Sequence, residues 1–229
     1  MAGGRGRTTP LALAVLTTLI EGPMHPYEIA QLLKHRGKDQ SIKIRFGSLY
    51  TVVQSLENRG LVEAEGTTRA GRRPERTVYR ITDAGRDEIT EVMRELLSEP
   101  VKEYPRFESA LSLLGALSSD DVAEQLGRRL TALEREIGEM RAALADARAE
   151  GFPRIFLLEV EYALAMKEAE AAWVGAFAAE LADGTFADLE AWRAWHDKAQ
   201  LPAEVREAEW FKEDQALHGH ESEAGRLDD

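Results

Sequence analysis

Apolar side chains recur at intervals of three and four residues in three segments near the start of the chain. The three sets of apolar positions are Leu11, Val15 and Leu19; Ile29, Leu32 and Leu33; and Leu49, Val52, Val53 and Leu56. Such intervals place the apolar side chains on one face of an α-helix. Thr9 followed by Pro10 is a typical helix start, and Gly37 and Gly60 are suited to helix ends. The pattern therefore predicts three successive amphipathic helices, the third over about residues 46–59.

Two short segments with the character of β-strands follow the third helix. They cover residues 61–65 and 76–81, and the sequence GTTRAGRRPE between them is rich in glycine and arginine, as exposed hairpin loops are. The sequence TDAG then predicts a further helix that runs to about Leu97. Three helices, two strands around a loop and a fourth helix make up a winged helix-turn-helix. We place this domain at residues 9–99, after a flexible arm at residues 1–8.

The pattern beyond Pro100 is helical throughout. A connecting helix at about residues 107–117 leads to Ser118, which is a good N-cap. The helix that follows carries apolar residues at near-heptad spacing: Val122, Leu126, Leu130, Leu133, Ile137, Met140 and Leu144. A second long helix, at about residues 153–182, is apolar on most sides and is therefore expected to lie between partners. Two shorter helices are predicted over residues 185–215.

A near-heptad seam usually packs against another helix. We expect the seam of the first long helix to pair two copies of the chain across a two-fold axis, through Leu126, Leu130, Leu133, Ile137, Met140 and Leu144. The predicted fold class is thus mainly α with a small β-wing: an N-terminal winged helix-turn-helix plus a C-terminal α-helical dimerisation domain. The second domain takes residues 100–217, and a disordered tail takes residues 218–229.

The distribution of charge separates the two predicted domains. The net charge of the chain is −12, but residues 1–80 carry 13 lysines and arginines against 7 acidic residues, whereas residues 81–229 carry 16 against 34. A basic N-terminal part on an acidic body is typical of a protein in which one domain contacts phosphate. The chain contains no cysteine, and its apolar run at residues 11–20 is too short to span a bilayer and is not interpreted as a signal peptide. We expect a cytoplasmic protein.

The third helix has the features of a helix that reads the major groove of DNA. Opposite its apolar face lie hydroxyl and amide side chains, which can bond base edges and phosphate oxygens: Thr51, Gln54, Ser55 and Asn58. Basic residues flank this face in the preceding segment, at Lys34, Arg36, Lys38, Lys43 and Arg45, and in the wing, at Arg69, Arg72, Arg73 and Arg76. Each such residue is also compatible with an ordinary solvated surface. The whole cluster favours double-stranded DNA as a partner.

Three segments together resemble the PadR family of transcriptional regulators. They are HPYEIAQLL, FGSLYTVVQSLENRGLVEAE and GRRPERTVYRITDAG, and the resemblance is strong over about residues 9–97. It implies DNA contacts by Tyr27, Ser48 and Tyr50 and a basic wing tip at Arg72 and Arg73. It also implies a homodimer that binds a palindromic operator, usually as a repressor. The long C-terminal part resembles the subgroup whose extra helices dimerise the protein.

The family resemblance further implies release from DNA by a small aromatic or planar effector. On the second long helix, residues at roughly helical spacing could line a pocket for such a ligand: Tyr162, Met166, Trp173 and Phe177. The same residues could instead pack the core of the dimer, which is the interpretation we favour. A regulator without a ligand, controlled only by its own abundance, is equally compatible with the sequence.

Other classes of function find less support. The chain has no glycine-rich phosphate loop, no nucleophile elbow and no spacing of metal ligands, so we predict neither an enzyme nor a cofactor or metal site. A winged helix that contacts another protein instead of DNA remains the alternative, because fold alone does not decide function. The basic surroundings of the third helix and the lack of acidic residues on its outer face speak against that alternative.

Overall fold

The computed structural model describes residues 8–68 and 76–198, together with residues 207–209 and Lys212. The predicted wing arginines Arg69, Arg72 and Arg73 lie outside these residues, as do the predicted tail at residues 218–229 and most of the last predicted helix. The chain divides into two compact units, and the boundary lies between Glu103 and Tyr104. Each unit has a core of its own, and each is described separately below.

In its described residues, the first unit contains four helices and a two-stranded sheet. Its elements are α1 (Pro10–Leu19), α2 (Pro26–His35), a 3-10 turn (Lys38–Gln40), α3 (Phe46–Asn58), β1 (Val62–Thr68), β2 (Arg76–Ile81) and α4 (Asp83–Ser98). The strands are antiparallel, with Val62 opposite Ile81 and Thr68 opposite Arg76. Met24 and Tyr79 exchange two backbone hydrogen bonds of 3.0 Å, so β2 has a neighbour on both sides. The predicted helices and strands are confirmed, and β1 extends three residues further than expected.

Side-chain caps fix where the first two helices begin. The amide of Ala12 donates to the hydroxyl of Thr9 over 3.2 Å at the start of α1. At the start of α2 the amide of Tyr27 donates to Nδ1 of His25 over 3.1 Å, and the backbone amide of His25 donates to the carboxylate of Glu28 over 2.9 Å. Each cap satisfies amides that the helix itself leaves without a partner.

The core of the first unit is formed by the apolar face of each helix and the first residues of the sheet. Its fully buried members include Val15, Leu16, Ile29, Leu49, Val53, Leu56 and Val62. The inner stripe predicted for α3 is confirmed, although Val52 at its edge is only half-buried. Burial of this stripe leaves the opposite face of α3 towards solvent.

The second unit consists of helices in the described part of the chain. They are α5 (Arg106–Leu111), a 3-10 turn (Leu114–Ala116), α6 (Ser119–Ala149), a second 3-10 turn (Arg154–Phe156), α7 (Leu158–Asp183) and α8 (Leu189–Lys198). Ser118 caps α6 as predicted, through a 3.1 Å bond from the amide of Asp121. The connecting helix is shorter than predicted, because α5 ends at Leu111 and a 3-10 turn follows. The second long helix begins at Leu158 because the residues after Pro153 form a 3-10 turn.

The near-heptad seam of α6 packs within the chain. Its residues Leu126, Leu133 and Ile137 are buried in one core with Val174 and Leu181 of α7. Leu130 packs against the same core, Leu144 is buried and Met140 is half-buried. This corrects the prediction that the seam pairs two copies across a two-fold axis. The heptad spacing does find a partner helix, but that helix is α7 of the same chain.

Ion pairs hold the two edges of the α6–α7 pair together. Lys167 donates to Glu136 over 2.6 Å, Arg141 to Glu168 over 2.7 Å, and Arg148 and Arg154 converge on Glu161 over 2.9 and 3.0 Å. The hydrogen bond from Lys167 lowers the pKa of Glu136, and the bonds from Arg154 and Arg148 lower the pKa of Glu161. The charged residues of α7 between Glu161 and Glu170 therefore lie on the side of α7 that faces α6. No helix in the described part of the chain is long and apolar enough to cross a membrane.

Candidate nucleic-acid interface

The solvent side of α3 is a continuous polar surface. Five exposed residues line an open groove along the helix: Tyr50, Thr51, Gln54, Ser55 and Asn58. We call these five residues the outer face of α3. They are the residues that the sequence predicts opposite the core stripe, with Tyr50 added from the flank. Ser48 is also exposed, one turn before this groove.

The groups on this surface can exchange their hydrogen bonds for bonds to DNA. The hydroxyl of Thr51 donates to the carbonyl oxygen of Gly47 over 3.3 Å, and the amide nitrogen of Gln54 donates to Glu57 over 3.1 Å. Both bonds join neighbours on the same helix and are exposed to water, so replacing them by bonds to DNA costs little free energy. An amide such as that of Gln54 can then both donate to and accept from a base edge.

Not all of the basic residues before α3 remain available to bind phosphate groups. Lys43 and Arg45 are exposed and immediately precede the helix, and Lys38 lies on the 3-10 turn. Arg36, in contrast, donates to Glu21 through both terminal nitrogens, over 2.5 and 2.8 Å. The hydrogen bond raises the pKa of Arg36 and lowers that of Glu21, so the pair stays charged and its two charges offset each other. Arg36 therefore adds little to the positive field around α3.

In the wing, the structure places one of the four predicted arginines. Arg76 is the first residue of β2 and pairs in register with Thr68, the last residue of β1. The strands bring it to the end of the sheet where the loop of the wing begins. The roles of Arg69, Arg72, Arg73 and Arg76 in DNA binding stay predictions.

Aromatic rings join α2 to α3 beside the polar groove. The ring of Tyr27 stacks on that of Phe46 with centroids 5.5 Å apart, and His25 meets Tyr50 edge to face at 6.0 Å. The ammonium group of Lys34 lies 4.5 Å from the centre of the Phe46 ring. Tyr27, Phe46 and Tyr50 all remain exposed despite these contacts. Sequence reasoning selected both tyrosines but missed Phe46, whose only signal is its place four residues before Tyr50 at the first turn of α3.

The predicted effector residues fall into two groups. Trp173 and Phe177 belong to a chain of packed rings that runs from Phe107 through Trp173, Phe177 and Phe186 to Trp192, with successive centroids 5.4–6.2 Å apart. The indole of Trp192 fixes one end of this chain by donating to the carbonyl oxygen of Leu117 over 2.9 Å. Tyr162 and Met166 are exposed on α7. The structure thus brings Trp173 and Phe177 into ring contacts, although Trp173 is also exposed, and leaves Tyr162 and Met166 on the surface.

One face of α7 is apolar and exposed over most of the helix. Between residues 158 and 179 the exposed residues are all uncharged: Leu158, Tyr162, Ala165, Met166, Ala169, Ala172, Trp173, Ala176 and Ala179. At 100° per residue they fall within an arc of about 140°. We call them the outer face of α7. An exposed apolar surface of this length is typical of a protein interface.

Comparison with known proteins finds one family model that matches part of the first unit. Residues 15–91 match the transcriptional regulator PadR-like family. Among solved structures, Bacillus subtilis PadR in complex with operator DNA superposes with a TM-score of 0.62 at 19% identity, covering 76% of this chain and 99% of that one. The same protein in complex with p-coumaric acid gives a TM-score of 0.60 at 17% identity, covering 75% and 98%. The Vibrio cholerae virulence activator AphA gives 0.55 at 19% identity, covering 76% and 99%.

These comparisons establish the fold of the chain. The mainly helical architecture with a small wing and a helical C-terminal region is that of the PadR structures. The families and structures matched are transcriptional regulators and not enzymes. By sequence alone, no curated protein matches the chain.

Proposed function

We propose that this chain, in which residues 15–91 form a domain of the transcriptional regulator PadR-like family, is a sequence-specific DNA-binding repressor that acts as a homodimer. The observation that carries the proposal is the outer face of α3. It is a groove lined by hydroxyl and amide groups, it contains no acidic residue, and exposed Lys43 and Arg45 precede it. A surface of this composition suits the edges of bases in the major groove.

In the proposed interface, one set of side chains contacts the phosphates and another contacts the bases. Lys43, Arg45 and the wing arginines contact phosphates, which fixes the position of the domain on the duplex without reading sequence. Thr51, Gln54 and Ser55 then face the base edges and carry the selectivity. Of the residues that the family resemblance selects, Ser48 and Tyr50 lie in the first turns of α3, and Tyr27 of α2 stacks on Phe46 at the start of α3. We expect such a regulator to act in the cytoplasm.

Binding should depend steeply on salt, and less steeply without Lys43. Each phosphate contact releases condensed counterions, so the Lys43→Ala variant should bind all DNA more weakly and lose about two units of the logarithmic salt slope, one for each copy in the dimer. Fluorescence anisotropy at several salt concentrations, with the DNA upstream of the protein's own gene and a scrambled duplex, measures both effects. Lys102→Ala, which removes a lysine from the segment after α4, is the matched control and should leave the slope unchanged. No binding at low salt would contradict the proposal and favour a protein-interaction module.

We propose the outer face of α7 as the surface that pairs two copies of the chain. The seam of α6 is occupied within the chain, whereas this face is apolar and extends over about 33 Å at 1.5 Å per residue. Its central alanines allow two helices to approach closely. A two-fold dimer would present two α3 helices to half-sites about one helical turn, or roughly 34 Å, apart, and would bind a palindromic operator.

Release by an aromatic effector is a further part of the proposal. Bacillus subtilis PadR has been solved with p-coumaric acid, a planar phenolic acid. Tyr162 and Met166 lie on the outer face of α7, so in the proposed dimer they would offer apolar groups to such a ligand at the interface between the two copies. Phe177 is half-buried among neighbouring rings, which favours a role in the core, whereas Trp173 contacts the same rings and stays exposed on the outer face of α7. The same anisotropy assay repeated with phenolic acids separates the two models. Loss of DNA binding supports an effector, and unchanged binding supports a regulator controlled by its own abundance.

A further inference from the structure

Phe46 is an exposed aromatic residue at the edge of the proposed DNA interface. It is the first residue of α3, and 39% of its surface is accessible to solvent. Burial of an aromatic ring contributes to stability, so an exposed ring beside a proposed binding surface has apolar area left to bury against a partner. Phe46 is partly covered by Tyr27 and Lys34 and stays exposed beside the groove that is proposed to receive bases.

The position of Phe46 on α3 aligns it with two residues of the groove. Phe46, Tyr50 and Gln54 are spaced four residues apart, so each side chain is turned by about 40° from the previous one and the three form a single row. Tyr50 and Gln54 both line the groove. The row therefore begins with an apolar ring and continues with a phenol and an amide.

The contacts of Phe46 hold its ring in place. The stack with Tyr27, at an angle of 22° between the ring planes, and the ammonium group of Lys34 restrict how the ring can turn. Both partners come from α2, so the ring is fixed by the packing of the helix-turn-helix itself. A ring that is held and exposed is ready to make a contact without first losing conformational freedom.

We infer that Phe46 is a specificity-determining residue that contacts the 5-methyl group of a thymine in each half-site. This inference rests on the proposed function and goes beyond it. A phenyl ring has no hydrogen-bonding group, so it cannot read the donors and acceptors of a base edge. The methyl group of thymine is the apolar feature that the major groove presents, and apolar side chains distinguish thymine through it. Lys34, adjacent to the ring, is placed to contact a neighbouring phosphate.

Replacement of thymine by deoxyuridine tests the inference directly, because it removes the methyl group and keeps every hydrogen-bonding group. On a DNA site selected with the wild-type protein, each thymine is replaced in turn and binding is measured by anisotropy. We expect one position in each half-site at which the wild-type protein loses about fourfold in affinity, as a buried methyl group predicts. The Phe46→Ala variant should bind more weakly and should not distinguish thymine from deoxyuridine at that position.

Two further variants distinguish a direct contact between Phe46 and the base from an indirect effect of Phe46 on the position of Tyr27. Phe46→Leu keeps an apolar side chain and should retain part of the preference for thymine, whereas Tyr27→Phe keeps the ring stack and should retain all of it. Circular dichroism and thermal melting verify that each variant is folded. If Phe46→Ala shows the same sensitivity at every thymine as the wild-type protein, or if the wild-type protein shows none, the inference is overturned. Failure of the wild-type protein to select any DNA site would instead overturn the proposed function.

Discussion

Replacement of Gly85 by alanine is expected to destabilise the first unit by about 3 kcal/mol, which is a large part of the stability of a small domain. Gly85 lies in the first turn of α4, and a Cβ atom there would be 2.2 Å from the carbonyl oxygen of Leu61 and 2.8 Å from Cγ1 of Ile81. Neither distance is physically allowed, and the nearer atom belongs to the backbone. Helix α4 would have to move away from the sheet.

That movement would disturb a junction that positions α3 and the wing. The carbonyl oxygen of Leu61 accepts the amide of Thr82 over 3.1 Å, and the hydroxyl of Thr82 donates to the carbonyl oxygen of Gly60 over 2.8 Å. These bonds join the start of α4 to the turn between α3 and β1. The Gly85→Ala variant should therefore lose DNA binding together with stability.

Urea unfolding followed by circular dichroism measures the loss in the free energy of unfolding. Gly138→Ala is the matched control, since this exposed glycine of α6 has nothing within 4 Å of an added Cβ atom, and alanine should stabilise the helix by up to about 1 kcal/mol. If the two units unfold separately, the two substitutions should shift different transitions. A loss below about 1 kcal/mol for Gly85→Ala would show that α4 is less tightly docked than the structure indicates.

The second large effect is expected at the outer face of α7. Ala169 lies near the centre of this face and is exposed in the single chain, so Ala169→Glu should leave the protomer folded. In a two-fold dimer the substitution would bury two carboxylates without partners. Each buried, unpaired charge costs several kcal/mol, so the dimer dissociation constant should rise by more than a hundredfold.

Analytical ultracentrifugation of the wild-type and variant proteins measures this change. Ala132→Glu is the matched control, because Ala132 is exposed on α6 among charged residues and the added carboxylate stays in water. We expect a dimer for the wild-type protein and for Ala132→Glu, and a monomer for Ala169→Glu at micromolar concentration. A dimer that survives Ala169→Glu would place the interface elsewhere, and a wild-type monomer would exclude the proposed pairing altogether.

The sequence predicts the local structure well because local signals control it. The apolar stripe of α3 and the cap at Ser118 act over a few residues, and α3 and the start of α6 lie where these signals place them. The seam of α6 shows where such reasoning stops. A heptad pattern requires a partner helix, but it does not specify whether that helix belongs to the same chain or to a second copy.

The candidate site likewise has features that the sequence predicts and features that depend on how the helices pack. The polar outer face of α3 follows from helical periodicity alone, and the structure exposes it as one groove. Two contacts could not be foreseen from the sequence: the ion pair of Arg36 with Glu21 and the stack of Phe46 on Tyr27. Each contact joins residues that are at least fifteen positions apart and depends on how α2 packs. The clash that restricts residue 85 to glycine also arises only when α4 docks against the sheet.

The measurement that tests the central claim most directly is selection of binding sites from random-sequence DNA, with the wild-type protein and the Gln54→Ala variant in parallel. If the outer face of α3 reads bases, the wild-type protein should enrich a two-fold symmetric site. Gln54→Ala should enrich the same site with relaxed preference at one base pair in each half-site, which corresponds to a loss of about 1–3 kcal/mol of discrimination there. Absence of enrichment by the wild-type protein at low salt, or an identical preference at every base pair for both proteins, would contradict the account.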